Sequence, residues 1–106
     1  MYDIKKAAVL GSGVMGGAIA AHLANAGLLV TLLDIAPGSL TPEEEAKGLT
    51  LQDKTVRNRI VNLARDKMAN ARAMQLYTPG FIKRITFGNL EDDLGLLREA
   101  DWVIEA

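Results

Sequence analysis

Six residues near the start, Gly11-Ser12-Gly13-Val14-Met15-Gly16, and one acid further on, Asp34, have the types and spacing to do chemistry. The glycine run follows an apolar stretch, Ala7 to Leu10, and opens a helical pattern; Asp34 closes the next apolar run, Leu28 to Leu33. A strand, a glycine turn, a helix, a second strand and an acidic tip are the setting in which a dinucleotide is held. Gly11 turns the chain out of the strand, Gly13 lets a pyrophosphate approach the backbone, and Gly16 lets the helix pack closely. Free N–H groups and the helix dipole then favour the phosphates. Asp34 lies eighteen residues past Gly16, near the usual offset of about twenty, where a carboxylate accepts hydrogen bonds from ribose hydroxyls. It would repel a 2′-phosphate, and no Arg or Lys follows at Ile35, Ala36 or Pro37. The pattern therefore reads as NAD rather than NADP. A glycine turn that binds nothing is the alternative, and the ordered neighbours argue against it.

Other reactive side chains are few. The single histidine, His22, falls mid-helix behind the glycine turn and reads as structural. Ser12 has no base beside it in the sequence, so nucleophilic catalysis is not indicated. Glu43-Glu44-Glu45 and Glu91-Asp92-Asp93 could suggest a metal. Both fall at expected helix starts, where acids complement the dipole, and neither has a calcium-loop pattern. Met68 and Met74 read as core residues.

The elements that must position these groups follow from periodicity. Strands are expected at about Lys5–Leu10 and Leu29–Asp34, as the nearly continuous apolar runs of a parallel sheet covered on both faces. Between them a crossover helix, about Val14–Ala26, places Met15, Ile19, Leu23 and Ala26 along one face. Thr41-Pro42-Glu43-Glu44 reads as a capping box with Pro at N1, opening a short helix that Gly48 interrupts. A longer helix is expected from Asp53 to Gln75, with a buried stripe of Val56, Ile60, Leu63, Ala64, Met68, Ala71 and Met74, broken by Tyr77-Thr78-Pro79-Gly80. A third strand is expected at Ile82–Phe87, then a helix at Leu90–Ala100 capped by Asn89, then a fourth strand from Asp101.

The chain has 106 residues, 49% hydrophobic and 24% charged, with net charge −1 and no cysteine. That is the composition of one small globular domain. It offers no attraction to nucleic acid or anionic lipid, no disulfide or thiolate chemistry, no signal-peptide h-region and no apolar run long enough for a membrane span. A cytoplasmic location is the matching expectation.

The stretch Lys6–Asp34 resembles the start of the 3-hydroxyacyl-CoA dehydrogenase family, carried by Gly11 to Gly16, Ala20-Ala21-His22-Leu23-Ala24-Asn25-Ala26-Gly27 and Leu32-Leu33-Asp34. Glu99 to Ala106 resembles the family's fourth strand. Leu40 to Glu45, the basic helix and Phe87 to Asp93 are similar to the long bacterial multifunctional fatty-acid oxidation proteins, in which this dehydrogenase is joined to an enoyl-CoA hydratase. The resemblance implies NAD contacts across Gly11, Ser12, Gly13, Val14, Met15 and Gly16, at Asp34, and through the backbone near Ala106. It implies oxidation of 3-hydroxyacyl-CoA to 3-oxoacyl-CoA with hydride passing to NAD. In the family the basic helix nears the CoA. Among Lys54, Arg57, Arg59, Arg65, Lys67 and Arg72, the residues chosen as phosphate contacts are Arg65 and Lys67, against the plainer reading of a solvated face.

The resemblance also sets expectations of what lies elsewhere. The family's catalytic His–Glu pair and its helical second domain fall beyond the fourth strand, so no catalytic residue is assigned to this chain. The expected fold is α/β, a Rossmann-type parallel sheet in the order 3-2-1-4 with flanking helices, truncated at the fourth strand: a partial NAD-binding domain over 1–106, inactive alone. Trp102, Val103 and Ile104 on that edge would be poorly covered, which leads to an expectation of self-association or marginal stability. Native homo-oligomerisation would come through the second domain or this edge. The alternatives are the NAD-binding part of another β-hydroxyacid dehydrogenase, or a non-catalytic nucleotide-binding module.

Overall fold

The computed structural model describes residues 5–69 and 79–106. In chain order the elements are β1 (Lys6–Leu10), α1 (Val14–Asn25), β2 (Leu29–Asp34), α2 (Pro42–Ala46), α3 (Lys54–Arg57), α4 (Arg59–Ala69), a 3-10 helix (Pro79–Arg84), β3 (Ile85–Asn89), a second 3-10 helix (Leu94–Glu99) and β4 (Trp102–Glu105). The strands form one parallel sheet in the order β3-β2-β1-β4, as the sequence led one to expect. The register aligns Leu10 with Leu33 and Glu105, and Asp34 with Asn89, so the carboxyl ends of all four strands share one rim. Rims of this kind are where ligands sit in parallel α/β sheets.

The core is built from Val9, Val30, Leu32 and Ile85 of the sheet, Ala20, Ala21 and Ala24 of α1, and Val61 and Ala64 of α4. Each fully buried Val or Leu is worth about 1.5–3 kcal/mol, so the strands supply most of the burial. The small side chains of α1 bury less but let the helix approach the strands closely. This corrects the expected face of α1: Met15 is 70% exposed, Ile19 and Leu23 only flank the core, and Ala26 is exposed. The contact face is the row of Gly and Ala residues beside them.

Three further boundaries differ from expectation. The helix expected over 53–75 is divided into α3 and α4 at Asn58, whose side-chain oxygen accepts a 2.8 Å bond from Asn89 Nδ2. After the break α4 turns Val61 and Ala64 to the core and leaves Leu63 58% exposed. The expected stripe positions Ala71 and Met74, the Met68 side chain, Arg72, and the breaker residues Tyr77 and Thr78 lie outside what is described. The third strand begins at Ile85 rather than Ile82, because residues 79–84 wind as a 3-10 helix. Arg84 there donates a 2.6 Å bond to the Ala24 carbonyl near the end of α1.

The helix expected at Leu90–Ala100 is a turn followed by the short 3-10 helix. Asn89 caps that turn, its Oδ1 accepting from the N–H groups of Glu91 and Asp92 at 3.1 and 2.8 Å. At the far edge, Asp101 receives the N–H groups of Lys5 and Lys6 at 2.9 and 3.0 Å, fastening the start of β4 to β1 and holding its carboxyl below the usual range. Trp102 and Val103 on β4 are exposed, as expected of an edge.

Candidate dinucleotide site

The site begins where β1 ends. Gly11 has φ +101°, a left-handed conformation that side chains resist, and its N–H still bonds the Leu33 carbonyl of β2 at 2.8 Å. Gly16, one turn into α1, faces back on this turn: a Cβ there would lie 1.8 Å from the Gly11 carbonyl oxygen. Gly16 is therefore what lets α1 start so close to the strand tip. The backbone of Ala106 closes the other side, with its N–H on the Leu10 carbonyl at 2.9 Å. A Cβ on Gly11 would meet the Ala106 carbonyl oxygen at 3.0 Å, so the glycine loop and the tip of β4 are in direct contact.

Gly13 is the N-cap of α1. It offers no side-chain acceptor, and the first turn carries no acid. A Cβ built on Gly13 meets nothing within 4 Å. The leading N–H groups of α1, from Val14, Met15 and Gly16, thus have no side-chain cap, the condition under which a helix start suits an anion. The Met15 side chain lines an apolar patch with Ala18, Ile19 and His22.

Asp34 sits across from this end. Its Oδ2 accepts both the Ser12 N–H at 2.8 Å and the Ser12 hydroxyl, and its Oδ1 accepts the Ile35 N–H at 2.7 Å. Burial pushes its acidity toward the neutral form, but the Ser12 hydroxyl and the Ile35 and Ser12 N–H groups outweigh it and hold the carboxyl below the usual range. Asp34 is ionised at neutral pH. Ser12, Gly13 and Asp34 line a cleft of about 180 Å³ whose opposite wall is Ile60, Leu63, Ala64 and Lys67 of α4. The sequence reading missed that apolar wall. Its signal was Leu63 in a stripe that the core has no room to cover.

A polar cluster fastens the wall to the sheet. Arg57 pairs with Glu91 and Asp92, both at 2.6 Å. Asn89, 1% exposed, bridges Asn58 and Asp92 at 2.8 and 3.0 Å. The Asp92 carboxyl is lowered mainly by Arg57, then by Asn89. Glu91 and Asp92 thus serve as Arg57 partners, and Asp93 accepts the Asn89 N–H at 3.0 Å, rather than opening a long helix. No group of acids, histidines or cysteines able to hold a metal occurs among the described residues.

Of the residues singled out beforehand, the structure brings Gly11, Ser12, Gly13, Gly16, Asp34 and Ala106 together with the start of α1. Lys67 joins them from the cleft wall, whereas Arg65 is exposed on α4 and does not line the cleft. His22 belongs to the separate apolar patch. No helix of the described residues is long and apolar enough to cross a membrane.

A bare helix end for phosphates, an ionised acid for ribose and an apolar wall for a base fit a dinucleotide. This combination on a parallel sheet defines a Rossmann-type nucleotide-binding unit. The family model described as 3-hydroxyacyl-CoA dehydrogenase, NAD binding domain, matches residues 6–106. A Bacillus subtilis protein described as a probable 3-hydroxyacyl-CoA dehydrogenase is 55% identical over 102 residues, 96% of this chain and 13% of that protein. A Deinococcus radiodurans protein of the same description is 45% identical, covering 97% of this chain and 26% of that one. A Rickettsia felis protein named for the trifunctional enzyme of a fatty acid oxidation complex is 40% identical, over 97% of this chain and 12% of its own length. Among solved structures, an (S)-3-hydroxybutyryl-CoA dehydrogenase from Ralstonia eutropha superposes with a TM-score of 0.52 at 25% identity, covering 98% of this chain and 31% of that one. The chain belongs to the 3-hydroxyacyl-CoA dehydrogenase NAD-binding domain family, and it spans a minor part of the length of these relatives.

Proposed function

We propose that this chain is the cofactor-holding part of an NAD-dependent oxidation of 3-hydroxyacyl-CoA to 3-oxoacyl-CoA, with no catalytic proton acceptor of its own. The observation that carries the reading is the cleft in which an ionised Asp34 faces the uncapped start of α1. In it the backbone N–H groups from Gly13 to Gly16 hold the pyrophosphate, Asp34 takes a ribose hydroxyl, and Ile60 and Leu63 exclude water from one side of the base. Ala106, against Gly11 and Gly16, marks the nicotinamide side. Bound there, NAD supplies the hydride acceptor. Ionised Asp34 disfavours the 2′-phosphate of NADP. The catalytic groups and a second, helical domain belong to sequence outside residues 1–106 in this proposal.

Calorimetric titration with NAD and NADP tests it. NAD should bind in preference to NADP, and Asp34→Ala should weaken NAD about ten-fold or more, as loss of a hydrogen bond to a charged group does. A folded chain that takes up neither nucleotide would sink the reading.

Two finer points belong to the same proposal. Arg65 and Lys67, both exposed on α4, contact phosphates of the acyl-CoA; reversing both charges should weaken acyl-CoA binding in the full-length enzyme, and unchanged affinity there removes them from the site. The β4 edge, the outer strand among the described residues, pairs with a second copy. Sedimentation that stays monomeric at rising concentration would exclude that.

A further inference from the structure

The contact between Ser12 and Asp34 carries more than the cofactor reading asks of it. A carboxylate has about four acceptor positions. Oδ2 spends both of its own on Ser12, through the N–H and the hydroxyl, and Oδ1 spends one on the Ile35 N–H. One position, on Oδ1, stays open. Ser12 is 8% exposed, so its hydroxyl is enclosed beside the acid rather than free to sample solvent. Its hydroxyl bonds Asp34 at the end of β2. The hydroxyl is thus committed to the acid.

We propose that Ser12 is a positioning residue that acts on the nucleotide through Asp34, fixing the plane of the carboxylate so that it presents a single acceptor to the ribose and a full negative charge against a 2′-phosphate. The inference rests on the NAD reading above. Its geometry makes two donors of one residue grip one oxygen, which removes the rotation a lone carboxylate would keep about its terminal bond. The lowered acidity of Asp34 agrees with this arrangement, since the Ser12 hydroxyl is the largest of the contributions that favour the charged form.

A direct phosphate contact by the hydroxyl is the competing role, and the two predict different couplings. The test is titration of the full chain with NAD and with NADP in five forms: unaltered, Ser12→Ala, Ser12→Thr, Asp34→Ala and the Ser12→Ala/Asp34→Ala pair. Ser12→Ala keeps the N–H and loses the hydroxyl, so NAD affinity should fall about five-fold, the size of one ordinary hydrogen bond. NADP should lose less, narrowing the discrimination between them. Ser12→Thr should restore both. In the Asp34→Ala background, Ser12→Ala should have no further effect.

An undiminished Ser12→Ala effect in that background, equal for NAD and NADP, would overturn the inference in favour of a phosphate contact. So would unchanged or tighter NAD binding by Ser12→Ala, or a Ser12→Thr chain that binds as poorly as Ser12→Ala. If Asp34→Ala itself changes nothing, the NAD reading fails and the inference with it; if Asp34→Ala weakens NAD while Ser12→Ala does not, the inference fails alone. Circular dichroism of each form checks folding. Ser12→Gly, which also keeps the N–H without the hydroxyl, repeats the measurement should Ser12→Ala not fold.

Discussion

The starts of α1 and α2 meet the same physical problem in opposite ways. Every helix begins with N–H groups that have no partner inside it. At α2 the chain's own side chains satisfy them: Thr41 accepts from the Glu44 N–H at 3.2 Å, Glu44 returns a bond from the Thr41 N–H at 2.9 Å, Pro42 removes one donor, and Arg59 holds Glu44 in place. At α1 there is Gly13, no acceptor and no acid. The difference follows from what else holds each helix. The five residues of α2 bury none of their side chains, so local capping must sustain it. The twelve residues of α1 lie on the sheet through Ala20, Ala21 and Ala24, and can forgo a cap worth about 1 kcal/mol. The chain thus writes a complete capping box at α2 and leaves α1 uncapped, the contrast on which the proposed phosphate site rests.

The comparison can be broken at several points. The largest effect is expected at Gly16, where any side chain collides with the Gly11 carbonyl. Gly16→Ala should cost about 3 kcal/mol or more through overpacking, read as a lowered urea midpoint, and a chain of unchanged stability would contradict the close approach. Gly13→Ser is the sharpest test. Its Cβ meets open space, and its hydroxyl supplies the missing cap. Stability should hold or rise by a few tenths of a kcal/mol, while NAD affinity drops about ten-fold, the equivalent of about 1.4 kcal/mol. A Gly13→Ser chain that binds NAD as before would mean that the bare end is not the phosphate site. Thr41→Ala should do the reverse, costing about 1 kcal/mol of stability with no change in NAD binding.

The smallest effect is on acid stability. Glu44, Asp92 and Asp101 all have lowered acidities when folded, Glu44 first through the Thr41 N–H, Asp92 through Arg57 and Asp101 through the Lys5 N–H. Carboxyls lowered by folding stabilise above their unfolded values, 4.5 for Glu44 and 3.8 for the aspartates, and lose that contribution as pH falls through the folded values. Asp92 and Asp101 are exposed to solvent and Glu44 is partly covered beside Arg59, so the decline should be shallow. Thermal melts between pH 7 and pH 3 should show a plateau and then a drop, and a melting temperature that rises on acidification would reverse the sign.

Much of the dinucleotide half was legible because its signals are local. The glycine spacing, the apolar runs ending at Leu10 and Asp34, and the Thr41–Glu44 box each specify backbone directly. The strand order, too, followed from the short crossover and the family resemblance. What escaped depends on tertiary contacts. Nothing in the spacing marks Asn58 as the point where helix 53–75 divides; there its side chain is tied to Asn89, thirty-one residues away. Ile82, expected to open the third strand, is taken into a 3-10 helix that places Arg84 on α1. Leu63 looked like core and is cleft wall, since helical period gives a stripe but not which cavity it faces. Asp34 was found by its offset, but its closure onto Ser12 lies in side-chain torsions that no pattern encodes.

The only tryptophan in the chain, Trp102, stands 48% exposed on β4, four residues from the Ala106 that touches Gly11 and Gly16. That gives the molecule a built-in optical label. Its emission should sit toward the red of a half-hydrated indole, and it should move blueward when any strand, helix or second copy covers that edge. Trp102 does not line the Asp34 cleft, so its emission reports on how the β4 edge is covered.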